Sequence, residues 1–428
     1  MTVRQVALED VATGNGKKPY FRLRMLAALQ HRNYRLYWTG QCVSFIGTWM
    51  QNVAQAWLVL ELTRSAFLLG LVGAAQFAPI LFFTLFGGAI ADRVPKRSLI
   101  ITTQAGMMIL ALALGLLVLT EAVRYWHVLV FAALMGTLNA VDMPARQSFI
   151  IELVGKQDLM NGIALHSSLF NAARVVGPAL GGLVIARFGL AACFLVNAAS
   201  FVAVLVQLFR VRVPGRSQAR SGRVLGEVVE GLRYVRRTPP IFMPVLLLAV
   251  VSVFAINFNV LVPVLARETL RQGAEGLGFL LAANGVGALS GALTLAWLSH
   301  GGPRRVLLIG GAACLCLAEL ALALFQSYYL AMVLLAAAGW SMIIFAATVN
   351  SMMQLAAEDR FRGRVMSVFT LVFMGMVPIG NLISGSLAHL WGAPAAFGAG
   401  ATVALLFTCG LAFRWRVREK AQARAVGA

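Results

Sequence analysis

Twelve mostly apolar stretches follow one another along this chain, each about 20 residues or longer. They fall near 36–60, 67–91, 98–119, 125–144, 159–186, 189–209, 241–266, 276–298, 305–325, 327–348, 364–389 and 395–414. Runs of that length read as helices crossing a bilayer. Most of the connections between them are short. The exception, Arg210 to Pro240, divides the spans into two sets of six. The pattern therefore predicts an all-α integral membrane protein with five regions. These are a basic N-terminal segment (1–35), a six-helix bundle (36–209), a linker (210–240), a second six-helix bundle (241–414) and a short tail (415–428).

Composition points the same way. Of 428 residues, 60% are hydrophobic and 12% charged, and the mean hydropathy is +0.80. Soluble domains carry about 25% charged residues. The first 35 residues are polar and basic and lack the apolar core of a cleaved signal peptide.

Charge sets the expected orientation. With the N-terminus in the cytoplasm, the cytoplasmic segments hold 30 of the 36 Lys and Arg residues. The outer loops hold five, Arg64, Arg124, Arg187, Arg267 and Arg271, and Arg174 remains inside a span. This is a strong positive-inside bias, with both termini cytoplasmic. It also accounts for the net charge of +20. Basic residues spread over many short loops suit anionic lipid rather than a nucleic acid.

The linker repeats charged and apolar residues at helical spacing in Gly226-Glu-Val-Val-Glu-Gly-Leu-Arg-Tyr-Val-Arg-Arg237. That reads as an amphipathic helix on the cytoplasmic membrane surface, or as a solvated tether. The five cysteines all fall in apolar spans and read as small buried residues. The five histidines are scattered, at 31, 127, 166, 300 and 389, so neither a metal site nor clustered acid–base chemistry is expected. No phosphate-binding Gly-x-x-x-x-Gly-Lys-Ser/Thr run is present. No cofactor and no use of ATP are expected, and energy should come from an ion gradient.

The two halves look like copies. Pro95-Lys96-Arg97 follows span two and Pro303-Arg304-Arg305 follows span eight, 208 residues later. Gly182, Gly189 and Phe194 match Gly385, Gly392 and Phe397 at a separation of 203.

Specific motifs sit on this frame. Gly88-Ala-Ile-Ala-Asp92-Arg93-Val-Pro95-Lys96-Arg97 joins spans two and three. It resembles the signature loop of the major facilitator superfamily, Gly-x-x-x-Asp-Arg-x-Gly-Arg-Arg, with Pro95 in place of a glycine. Span five holds Arg174-Val-Val-Gly177-Pro178-Ala-Leu-Gly181-Gly182, which resembles the antiporter motif of drug exporters, with Ala173 at an earlier glycine. Asn139-Ala-Val-Asp142-Met-Pro144-Ala-Arg146-Gln147, Gly363-Arg364-Val-Met-Ser and the linker run narrow the likeness to the enterobactin-exporter-like branch, near the third drug:proton antiporter family. An arginine common in helix four of drug:proton antiporters is Ala132 here.

The resemblance implies a twelve-helix secondary transporter of the inner (plasma) membrane. It would export a small, partly hydrophobic compound, a siderophore or a drug, in exchange for protons. Rival readings are an uptake carrier or lysophospholipid flippase of the same fold, and, from another class, a polytopic membrane enzyme. It further implies that Asp92 meets the start of span eleven near Gly363, with Asp142 beside Arg93 or Lys96. Together with Gly88 and Arg97 these would form a cytoplasmic latch. The first and seventh helices would line the substrate path, offering Gln41, Ser44, Gln55, Asn257 and Asn259, or these residues bond between helices. Arg174 lies roughly 22 Å into span five. It draws an anionic part of the substrate or pairs with an acid. Glu319, at similar depth in span nine, is either a proton carrier or a neutral hydrogen-bonded acid.

Overall fold

A computed structural model describes residues 26–213, 224–298, 302 and 305–426, without side-chain detail for 84–93 and parts of the linker and tail. The first half consists of α1 (Arg32–Thr63), α2 (Ala66–Arg93), α3 (Lys96–Leu119), α4 (Tyr125–Val154), α5 (Leu159–Phe188) and α6 (Leu190–Arg210). The linker contains α7 (Val224–Arg237). The second half has α8 (Pro239–Phe254), α9 (Phe258–Val264), α10 (Ala274–Leu298), α11 (Arg305–Leu324), α12 (Tyr328–Ala356), α13 (Arg362–Gly375) and α14 (Val377–Val426). Among the described residues, ten helical segments are long and apolar enough to cross a membrane. One of them, Arg362–Trp415, turns back at Gly392, where φ is 83°, and so crosses twice. α1 adds the twelfth span. Its length suffices, but Gln41, Gln51, Asn52 and Gln55 dilute its apolar character.

Three helices outrun the lengths expected from hydropathy, among them α14, which runs on to Val426. α4 continues to Val154 and α12 to Ala356. Arg146, read as a loop residue, therefore lies inside α4, where Asp142 one turn earlier neutralises it. Span seven is broken at 255–257, between α8 and α9. Asn257 Nδ2 donates to the Val253 carbonyl at 2.6 Å, so a side chain serves a carbonyl near the break.

The internal repeat is visible in the packing. Gly189 and Gly392 adopt the same left-handed conformation, φ 80° and 83°, at equivalent turns. Such turns favour glycine because it lacks a Cβ. Phe194 and Phe397 are both fully buried. Gly182 approaches the start of α10, and Gly385 approaches the start of α2. Gly136 presses on the Gln76 carbonyl of α2, and Gly339 on the Asn284 carbonyl of α10. The result is two pseudo-symmetric six-helix bundles.

The backbones of the two halves meet most closely where α5 crosses α10 and where α14 crosses α2. Among the described glycines, these approaches run from mid-span to the end away from the arginine-rich connections. A Cβ on Gly278 would stand 2.5 Å from the Pro178 carbonyl, and one on Gly385 would stand 2.8 Å from the Ala66 carbonyl. α7 fastens to the second half. Glu230 pairs with Arg364 at 2.7 Å, and Tyr234 stacks on Phe361 with ring centroids 4.3 Å apart.

All five cysteines are free. Cys193 and Cys316 are buried as expected, but Cys314 and Cys409 face outward. Cys314 and Cys316 are two apart on one helix, so they cannot share a face.

Candidate functional site

A cavity of about 280 Å³ lies between the two halves. α1 contributes Trp49, Asn52 and Gln55, and α2 contributes Gln76 and Phe77. α5 adds Phe170, Arg174 and Pro178. The opposite wall is Ile256, Phe258 and Asn259 around the break in span seven, with Asn284, Met342, Phe373 and Val377 from α10 and α12–α14. The lining is mainly apolar and aromatic, with a few amides and a single charge, as in sites for small organic ligands.

Arg174 supplies that charge. Its Nη2 donates to Asn284 Oδ1 at 2.9 Å, across the junction of the halves. Its guanidinium carbon lies 6.0 Å from the centre of the Trp49 ring, within cation–π range. No lining residue is acidic, so the acid partner left open by the sequence is not found. Asn284 is held in turn, with its Nδ2 donating to the Leu335 carbonyl at 3.1 Å. Gln55 Nε2 donates to Gln76 Oε1 at 2.9 Å.

Of the six residues expected at the substrate path, Gln55, Arg174 and Asn259 line the cavity. The other three do not. Gln41 is buried lower in α1, accepting from Arg146 Nη1 at 3.3 Å. Ser44 and Asn257 are buried between helices, and Gly380 packs against the Asn257 amide. Gln41 and Ser44 share the helical face of Gln55 but lie roughly 21 and 16 Å further down α1, below the cavity, and Asn257 sits in the break of span seven.

Sequence reasoning missed Gln76 and Asn284. A signal was present, because Asn284 follows Gln76 by 208 residues, the offset of the Pro-Lys-Arg and Pro-Arg-Arg repeat.

Glu319 is fully buried in α11, and neither carboxylate oxygen meets a hydrogen-bond partner. α11 packs on α12 and α14. Glu319 does not reach the cavity lining.

The expected contact between Asp142 and Lys96 is not formed. Asp142 is fully buried within the first half. It accepts from Thr103 Oγ1 at 2.6 Å and Gln104 Nε2 at 3.1 Å, and pairs with Arg146 Nε at 2.6 Å. Lys96 pairs with Glu152, which the extension of α4 carries into reach. Arg97 donates to the Leu208 and Phe209 carbonyls at 2.8 and 3.1 Å, where α6 ends. Cations there complement the negative end of the helix dipole. Gly363 is exposed at the start of α13, and α13 packs against α2. The side chains of Gly88, Asp92 and Arg93 lie outside the described residues.

The Gly-Pro-x-x-Gly-Gly motif has two working faces. Gly177 rests on Trp49 and Gly181 on Met50, both within the first half. Gly182 meets Ala274 and Glu275 of the second half. Small residues at such crossings let backbones approach closely, and Pro178 removes one backbone hydrogen bond beside them.

Two six-helix bundles around a shared central cavity define a membrane transporter of the major facilitator type. Residues 24–427 match the family described as transmembrane secretion effector, and the chain belongs to that family. It is 30% identical to the multidrug efflux pump Tap of Mycolicibacterium fortuitum, over 87% of this chain and 93% of that one. It is 26% identical to the enterobactin exporter EntS of Shigella boydii, over 84% and 86%. A bacterial homologue of the human lysosomal transporter Spinster, solved inward-facing and unoccupied, shares the fold. Its TM-score is 0.68 at 16% identity, over 93% of this chain and 96% of that one.

Proposed function

We propose that this transporter resides in a bacterial-type inner membrane and exports a small, partly hydrophobic organic compound, a siderophore or a drug, in exchange for protons. The observation that carries this reading is the cavity between the halves, mostly apolar with isolated amides and one arginine. The efflux activities named for the relatives support it. In the proposed orientation the basic connections face the cytoplasm, and the glycine contacts of α5 with α10 and of α2 with α14 close the outer side. The structure then corresponds to the state that receives cargo from within.

Glu319 is the proposed proton carrier. It acts at a distance from the cargo, through the packing of α11 on α12 and α14. In a host stripped of its own exporters, expression should lower cellular accumulation of at least one compound from a panel of siderophores and drugs. A protonophore should abolish the effect. Glu319→Gln should stop gradient-driven export yet leave binding of the same compound intact. Unchanged export by that variant would remove Glu319 from the mechanism.

The signature loop is proposed to latch the cytoplasmic side when it closes. Asp92 would meet the helix start at Gly363, a contact worth about 0.3–1 kcal/mol exposed and up to about 2 partly buried. The Asp142–Arg146 and Lys96–Glu152 pairs would brace the helices behind it. A cysteine at Gly363 should react with an impermeant maleimide only after permeabilisation, whereas one at Arg124 should react in intact cells. Asp92→Asn should raise the reactivity at Gly363. The opposite labelling pattern overturns the orientation, and equal reactivity in Asp92→Asn overturns the latch.

A further inference from the structure

Arg174 is held in a way that a ligand can exploit. A guanidinium inside a membrane span is costly unless an anion, several acceptors or water satisfy it, and Arg174 is half-buried with its charge at the cavity. Here one neutral carbonyl oxygen, on Asn284, and the face of Trp49 are its partners. A guanidinium carries five N–H donors, so most of its bonding capacity remains free. The other lining residues are uncharged. A cation entering this space meets a like charge and no carboxylate, while an anion meets the missing counter-charge.

The position of Asn284 adds a mechanical consequence. Arg174 belongs to α5 in the first half and Asn284 to α10 in the second. Asn284 is anchored to Leu335 and cannot follow the guanidinium into the cavity. A Cβ on Gly285, next in sequence, would stand 2.8 Å from the Arg174 carbonyl, so the two backbones touch at this level. Drawing the guanidinium toward a ligand therefore breaks a hydrogen bond that joins the halves where they are most tightly closed.

We propose that the cargo is an apolar organic anion, and that its negative group takes Arg174 from Asn284 and so loosens the junction between α5 and α10. This rests on reading the cavity as the transport site. It makes cargo occupancy and outward opening reciprocal. Whatever frees Arg174 favours opening, and whatever opens the junction frees Arg174 for the anion.

The test uses purified full-length protein in lipid nanodiscs and three probes of one shape: 2-naphthoate, 2-naphthamide and 2-naphthylmethylamine. Naphthoate should bind about tenfold or more tightly than the amine, with the amide between them. Arg174→Gln should erase the ranking. Arg174→Lys, which keeps the charge, should retain a preference for the anion. Asn284→Ala should tighten naphthoate binding, because a competitor for the guanidinium is gone. Spin labels at Arg187 and Arg271, on the ends that close, should move apart on adding naphthoate and stay put with the amine. Failure of all three probes to bind, amine binding as tight as naphthoate, or a ranking that survives Arg174→Gln would each overturn the proposal. Export in cells is read separately. Export that persists alongside a flat ranking sinks the anion preference and spares the transport reading. Anion binding without export of any compound sinks the transport reading and spares the site.

Discussion

Gly182→Val is expected to abolish export while leaving the protein folded and in the membrane. A Cβ at this position would stand 2.6 Å from the Ala274 carbonyl and 2.9 Å from the Glu275 Cα. Both are backbone atoms of the opposite half and cannot rotate aside. Overpacking of this kind costs about 1–3 kcal/mol. Here the cost falls only on the state in which α5 and α10 are closed together. The population of that state should drop by roughly five- to 150-fold, and a cycle that must pass through it slows accordingly. Gly385→Val, at the repeat-related crossing, should behave alike. Gly177→Val is the contrasting case. Its added carbons run into Trp49 and Ile46 of the same half, so it should lower the yield of folded protein instead. Yield and monodispersity on size exclusion, measured beside export, separate the two outcomes. Normal export by Gly182→Val would mean that this closure is not part of the cycle.

Asp142→Ala should cost about 3–5 kcal/mol, the usual penalty for removing one partner of a buried ion pair. The carboxylate is fully buried and receives Thr103, Gln104 and Arg146. Without it, Arg146 keeps only a long bond to Gln41 and the face of Phe45, 5.3 Å away. The thermal melt of purified protein should fall sharply for Asp142→Ala and for Arg146→Ala. Asp142→Asn combined with Arg146→Gln should cost less than the sum of the single changes, because the groups act as a unit. Fully additive losses would show that the pair does not couple. Glu152→Gln should be milder, since the Lys96 and Glu152 side chains keep 15% and 17% of their exposure.

The architecture was legible in the sequence because the bilayer imposes a length on every apolar run. The ends were less so. Hydropathy marks where lipid stops, not where a helix stops, and α4 and α12 run on past that level. This is why Arg146 was assigned to a loop and why the partner of Lys96 was missed. Three of the six residues expected at the substrate path line the cavity, and the other three lie elsewhere for a related reason. The resemblance pointed to the first and seventh helices, but polar residues spaced along a helix do not say at which depth the cavity lies. Gln55 stands at the level of the cavity, and Gln41, on nearly the same face about four turns lower, meets Arg146. Asn284 was recoverable only by treating the repeat as a register and carrying Gln76 across it.

That register exposes an inequality between two otherwise matched halves. Carried forward by the 203 residues that relate Gly182 to Gly385, Arg174 falls on Val377. Val377 also lines the cavity, beside Phe373 and Met374. The frame is thus near-twofold while its electric field is not, because one wall is cationic and its counterpart is hydrocarbon. A cargo with one charged and one greasy end can sit in such a space in only one sense. The chamber is a compass as well as a container, and the half that bears α5 holds the head of the cargo whichever way the doors stand.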